Sequence, residues 1–236
     1  NENKVAGPVD DILIGYKVDS IDGIGGTLGE AGPTFVRSDQ EGILWKSAIA
    51  GTMNFDKDDF EGGEYEDQDI ELIILHEMGH CLGIGTFWVN NCGAACFSQG
   101  IVSYTCDKAK TEFANLGVPG RLMLESEGGG GTACSHWNEN SFSDLFSSEL
   151  MTGTFEPGKE QPLSRVSAAA LEDLGGYEVN YEATDPYPAG LANLKAKGGA
   201  AFSSGFDILR PSIGFDLSAV NEPGLNSNQI IVIGSI

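Results

Sequence analysis

The stretch DIELIILHEMGHCL, residues 69–82, carries two histidines four residues apart on a segment with helical periodicity. Ile70, Ile73, Ile74, Met78 and Cys81 recur at the spacing of one helix face, which predicts a helix with a buried stripe over residues 69–82. Gly83 and Gly85 follow, as glycines commonly do past a helix end. Residues i and i+4 share a face, so the imidazoles of His76 and His80 can reach one metal ion. Glu77 then projects beside that ion, where it can polarise a bound water. The competing reading is a helix with two incidental histidines.

A catalytic zinc site needs a third protein ligand and one open position. The residue six after His80 is Thr86, so no local H-E-x-x-H-x-x-G-x-x-H is completed. The chain has three histidines, and the remaining one, His136, lies in GTACSHWNEN after the glycine run 128–131. Those glycines would let the backbone return towards the helix. Trp137 beside it is either a wall of the site or simple core. Further on, residues 149–153 read ELMTG, a Met followed by a turn-forming Thr-Gly.

Outward from this centre, residues 10–18 (DDILIGYKV) alternate as a strand, and residues 48–55 (AIAGTMNF) read as a second. Residues 23–32 hold five glycines and read as turn or loop, and residues 56–69 as an acidic loop. Further helices are expected over residues 107–116 and 164–174, closed by Gly117 and by Gly175-Gly176. No short-period repeat is present.

The chain has 236 residues and a net charge of −22, with 13 Lys+Arg against 35 Asp+Glu. That balance argues against nucleic acid or an anionic membrane as partner, since both require clustered basic residues. No apolar run approaches the ~20 residues of a membrane span. No signal peptide is visible, and a processed mature form is expected. Of five cysteines, Cys92, Cys96, Cys106 and Cys134 cluster in loop-like sequence, which points to disulfides and an oxidising, secreted or cell-surface setting. The favoured pairing is Cys92–Cys96 with Cys106–Cys134; a four-cysteine zinc site is the weaker alternative. Cys81 is expected to be a buried, inert thiol on the helix.

HEMGHCLGIG followed by a delayed SHW and then ELMTG resembles the leishmanolysin-type metzincins, a branch of the zinc metalloproteases, in its bacterial and algal forms. The resemblance extends through GGTLGEAGP, GTMNFDKDD and SRVSAAALEDLGGYEVNYEATDPY, and so over residues 7–187. Gly83 matches the motif glycine, and an insertion before the third histidine explains Thr86. The resemblance implies that His76, His80 and His136 bind one catalytic Zn²⁺, that Glu77 is the general base for the zinc-bound water, and that Met151 is the Met-turn residue. It implies an α+β, metzincin-like fold: a mixed twisted β-sheet with the active-site helix in the N-terminal half, and a less regular C-terminal half with the Met-turn and a C-terminal helix. A single catalytic domain over residues 1–236 follows, with subdomains near 1–84 and 85–187. The tail 188–236, like Cys81, Cys106 and Cys134, departs from the pattern.

The expected activity is a zinc-dependent endopeptidase acting, as a monomer, on protein or peptide substrates. Gly51, Thr52, Met53 and Asn54 are candidates for a substrate-binding edge strand, the alternative being an ordinary buried strand. Asp19, Asp22, Asp56, Asp58 and Asp59 would suit Ca²⁺, against the commoner reading of solvated acidic loops. Rival functions are a catalytically silent zinc-binding surface or adhesion module and a zinc amidase acting on a non-protein amide. The silent module would need no Glu77 and would close with a fourth ligand; the Met-turn counts against the amidase.

Overall fold

The computed structural model describes residues 12–39, 44–62, 65–92, 102–117, 120–139, 149–186 and 229–233. Its sheet is assembled around β1 (Ile12–Asp19), whose Ile12 and Ile14 are buried. β3 (Trp45–Asp56) runs parallel to β1, with Leu13 opposite Ala50 and Val18 opposite Phe55. β2 (Gly29–Ser38) pairs antiparallel with β3, and β4 (Gln229–Ile233) antiparallel with β1. The order β2-β3-β1-β4 is a small mixed sheet with β2 at one edge.

Two sequence expectations change here. The glycine-rich stretch is a loop only as far as Leu28; from Gly29 it is the edge strand β2. Its Pro33 and the register shifts around Phe35 suit an edge, where a missing N–H and a bulge disturb only one ladder. Conversely, Gly51, Thr52, Met53 and Asn54 cannot form an edge, because β3 is hydrogen-bonded on both sides. The segment belongs to an interior strand, with Gly51 and Met53 buried and Thr52 exposed.

The acidic segment after β3 is partly helical. α1 (Lys57–Glu61) starts at Asp56, whose side chain accepts the Asp58 N–H as an N-cap. α2 (Asp67–Leu82) opens on a capping box between Glu66 and Asp69. It closes at Gly83, whose φ of 111° is a left-handed conformation that favours glycine. α2 lies between two apolar cores. Ile73 and Cys81 pack with Ile14, Met53 and Phe55 on the sheet. Leu72 and Leu75 pack against the other core, built from Ile84, Phe87, Trp88, Tyr104, Leu124, Trp137, Met151 and Leu174.

α3 (Trp88–Asn91), α4 (Asp107–Asn115) and α5 (Arg165–Asp173) surround this second core. Asp173 on α5 caps α4 by accepting the N–H groups of Lys108 and Ala109, each at 3.0 Å. A 3-10 turn at Tyr181–Ala183 follows. Tyr177 ties the halves together: its hydroxyl donates to Leu82 O and accepts the Ala48 N–H, both at 2.8 Å.

The cysteine pairing differs from expectation. Cys92, at the end of α3, is joined to Cys106, the N-cap of α4, with Cα atoms 5.1 Å apart. This excludes both favoured pairings; Cys134 is also oxidised, and Cys96 lies outside the described residues. Proximity in sequence favoured Cys92–Cys96, but packing of α3 against the start of α4 brings the more distant sulfur within reach. No helix among the described residues is long and apolar enough to cross a membrane.

Candidate metal centre

The side chains of His76 and His80, one turn apart on α2, meet His136 at the floor of a cleft. Their Nε2 atoms lie 3.0 Å (His76–His80), 3.0 Å (His80–His136) and 3.1 Å (His76–His136) apart. Each Nδ1 faces a backbone carbonyl: Leu150 O at 2.6 Å for His76, Ile84 O at 3.1 Å for His80 and Thr132 O at 3.0 Å for His136. A carbonyl can only accept, so each Nδ1 carries the proton and each Nε2 presents a lone pair. Three lone pairs face one another, an arrangement that a cation satisfies and that hydrogen bonding among them does not.

Electrostatics agree with the neutral tautomers. Burial, reinforced by His136, pushes the His76 imidazole down to about 3. Burial likewise lowers His80 and His136. Among the described residues this is the one cluster of three His, Cys, Asp or Glu whose ligand atoms converge. The donor set fits zinc: Zn–N bonds of about 2.0–2.1 Å in tetrahedral geometry place neighbouring ligand nitrogens ~3.3 Å apart. Three histidines leave a fourth position open to the cleft.

Glu77, 5% exposed, lies beside the histidines, and its Oε2 is buried without a hydrogen-bond partner. Burial, with the Glu30 carboxylate adding to it, raises the Glu77 carboxyl to about 8. Glu30 stands on β2, where its Oε1 accepts from Asn54 Nδ2 at 3.0 Å. β2 comes so close that a Cβ on Gly29 would lie 2.8 Å from Glu77 Oε1.

The cleft has a volume of about 790 Å³. The glycine loop and β2 from Gly25 to Ala31 line one side, and the segments around Gly131, Thr132, Ser135 and Thr152–Phe155 the other. No Lys or Arg stands among its described lining residues. Of the strand residues singled out in the sequence, none of 51–54 lines it.

His136 reaches the helix through a short ladder. The Glu125 N–H donates to His136 O at 2.9 Å, and the Trp137 N–H to Met151 O at 2.9 Å. Trp137 itself is core, fully buried and stacked on Trp88 at 4.3 Å. Met151, also fully buried, packs under α2 at Gly79: a Cβ there would lie 2.7 Å from Met151 Sδ. Cys81 is the free, buried thiol expected, directed at Thr52 O at 3.5 Å. Burial pushes it up to about 12.

The acidic residues have a different task from the calcium binding considered above. Asp56 Oδ2 accepts the N–H groups of Ile21, Asp22 and Gly23 at 3.1, 2.8 and 3.0 Å. These bonds, led by Asp22, hold its carboxyl below the usual range despite burial. Asp59 accepts the Gly25 N–H at 2.7 Å. The carboxylates tether the loop that leads into the cleft, and among the described residues they do not converge on an ion site.

Sequence reasoning missed Glu149. It is fully buried, with Oε2 2.6 Å from Met151 N, and Oε1 3.0 Å from Ser164 N, 2.7 Å from Ser164 Oγ and 2.6 Å from Ser167 Oγ. A glutamate between a turn and a helix start carries no periodic signal, and only tertiary contact brings these donors to it.

Three neutral imidazoles beside a buried carboxylate, in an open cleft, are the donor set of a metal-dependent hydrolase. The family model for leishmanolysin, Peptidase_M8, matches residues 43–192. The chain belongs to the leishmanolysin family of metallopeptidases. It is similar to the ciliated left-right organizer metallopeptidase of Xenopus laevis, 29% identical over 151 residues, which is 56% of this chain and 20% of that protein. The mouse (Mus musculus) protein of the same name is 28% identical over 165 residues, 58% of this chain and 22% of that one. The leishmanolysin-like peptidase of Drosophila melanogaster is 38% identical over 63 residues, 27% and 8% of the two chains. The matched region thus spans about a fifth or less of these relatives' length.

Proposed function

We propose that this chain is a zinc-dependent endopeptidase domain, with His76, His80 and His136 as ligands and Glu77 as general base. The observation that carries the reading is the tautomer-locked convergence of three Nε2 lone pairs beside the unpartnered Glu77 Oε2. A structural zinc site would close with a fourth protein ligand; none converges there among the described residues.

Zinc held there would polarise a peptide carbonyl and lower the pKa of a water towards ~7. The +2 charge of zinc held there would favour the ionised form of Glu77, opposing the upward push of burial. That carboxylate takes a proton from the attacking water as the water oxygen bonds to the carbonyl carbon. It returns that proton to the amine nitrogen as the C–N bond breaks. The second carboxylate, Glu30, and the absence of Lys or Arg from the described lining favour peptides that are not acidic at the cleft. The edge of β2 along Gly29–Ala31 offers the rim on which an extended substrate adds as a strand. Met151 serves as the Met-turn, a soft thioether packed beneath the ligand helix.

The domain is read as one catalytic unit and a monomer, with its halves meeting at α2. An oxidising, extracellular or cell-surface setting follows from the Cys92–Cys106 disulfide. The test is digestion of a denatured protein with and without a zinc chelator. Cleavage that stops on chelation and returns with zinc is expected; cleavage indifferent to chelation would overturn the proposal.

A further inference from the structure

We infer that Glu149 is a positioning residue for the metal site, a buried carboxyl group whose hydrogen bonds lock two of the three histidines to the start of α5. The inference rests on the zinc reading above and goes beyond it, to a side chain about which the histidine motif says nothing.

Donor and acceptor accounting makes Glu149 the acceptor of every bond it makes. The N–H groups of Met151 and Ser164 can only donate. Ser164 Oγ accepts from the N–H groups of Val166 and Ser167 as the N-cap of α5, so its proton is free for Glu149 Oε1. Ser167 Oγ accepts from Trp137 Nε1 at 2.8 Å, so its proton also goes to Oε1, at 2.6 Å. Burial raises the Glu149 carboxyl above its ordinary value, and the donors from Ser167, Met151 and Ser164 oppose that shift. No basic side chain among the described residues pairs with it, and the N-terminal end of α5 favours its charge.

Two links run from this hub to the ligands. Through the Met151 N–H it holds the turn whose Leu150 carbonyl orients His76 at 2.6 Å. Through Ser167 it holds the indole of Trp137; the backbone N–H of Trp137 donates to Met151 O, and its chain neighbour is His136. Groups that orient metal-bound histidines are commonly worth about 10–100-fold in metal affinity.

Glu149→Gln preserves size, but its amide NH₂ must face donors at either position. The expected result, read by competition with a chromophoric chelator, is zinc binding weakened about 10–100-fold. Ser167→Ala keeps the carboxylate and removes one donor and the Trp137 acceptor; a smaller weakening of about threefold or more is expected of it by the same argument. Leu174→Ala, in the core at the far end of α5, is the control. It should lower the melting temperature at least as much while leaving zinc affinity within about twofold, because its side chain makes none of the hydrogen bonds of either link. Zinc affinity within twofold of wild type in Glu149→Gln, or an equal loss in Leu174→Ala, overturns the inference. If Glu149→Gln does not fold, unchanged affinity in Ser167→Ala overturns it. Absence of zinc uptake by the wild-type protein would instead overturn the metallopeptidase reading on which the inference stands.

Discussion

Glu77 and Gly79 lie two residues apart on α2 and answer to different neighbours. Glu77 is held in the cleft with an unpartnered oxygen. That is a cost to folding, and it is explained by chemistry at the site rather than by packing. Glu77→Ala should therefore abolish peptide hydrolysis while zinc remains bound, measured as turnover alongside metal content. Retained turnover would remove Glu77 from the role of base. Gly79 answers to Met151, whose Sδ leaves no room for a Cβ. Gly79→Ala should destabilise the fold by about 1–3 kcal/mol despite alanine's better helix propensity. Combining it with Met151→Ala should give less than the sum of the two losses, and strict additivity in chemical denaturation would refute the contact.

Among the elements, β2 and the α3–α4 connection were the ones whose identity depended on partners. The end of the 23–32 stretch, with Gly29 and Gly32, reads as loop, yet it opens a strand that pairs with β3 from Gly29 to Ser38, because an edge strand tolerates glycines and the Pro33 that follows. The predicted helices fared better. Residues 69–82, 107–116 and 164–174 each became a helix with boundaries shifted by at most about two residues, because apolar spacing and terminal glycines are local signals. The Cys92–Cys106 link closes a separation of 14 residues. Loop-closure entropy for about 15 residues amounts to ~3 kcal/mol, so Cys92→Ser with Cys106→Ser should lower stability by about that much. Non-reducing peptide mapping should recover that pair, and recovery of Cys92 with Cys96 would contradict the structure.

For the whole molecule, the buried histidines couple stability to pH. His76 has a folded value of about 3, below its ordinary 6.5. Between those values the unfolded chain binds the extra proton, so this contribution is present above pH 6.5 and is lost as pH falls towards 3. His80 and His136 shift the same way. Glu77, raised to about 8, acts in the opposite sense: its contribution is present below its ordinary 4.5 and is lost as pH rises through 8. The chelated protein should therefore lose melting temperature on acidification below pH 6.5, with a shallower slope in His136→Asn. Identical slopes in the two proteins would contradict this. Elemental analysis should find about one zinc per chain and no stoichiometric calcium, because the acidic oxygens already accept backbone N–H groups.

The residues of the proposed centre were legible in the chain alone, since a metal demands particular donors at spacings that a helix makes recognisable, and the chain offers only three histidines. Two strands and three helices were legible for the same local reason. What tertiary structure alone decided is how those donors are held and what surrounds them. It selected β2 rather than residues 51–54 as the cleft edge, Cys106 as the partner of Cys92, and Glu149 as the anchor of the turn under the helix. Each of these is a contact between segments far apart in sequence or of weak local preference. Periodicity does not encode such contacts; they are fixed only when burial forces every polar group to find a partner.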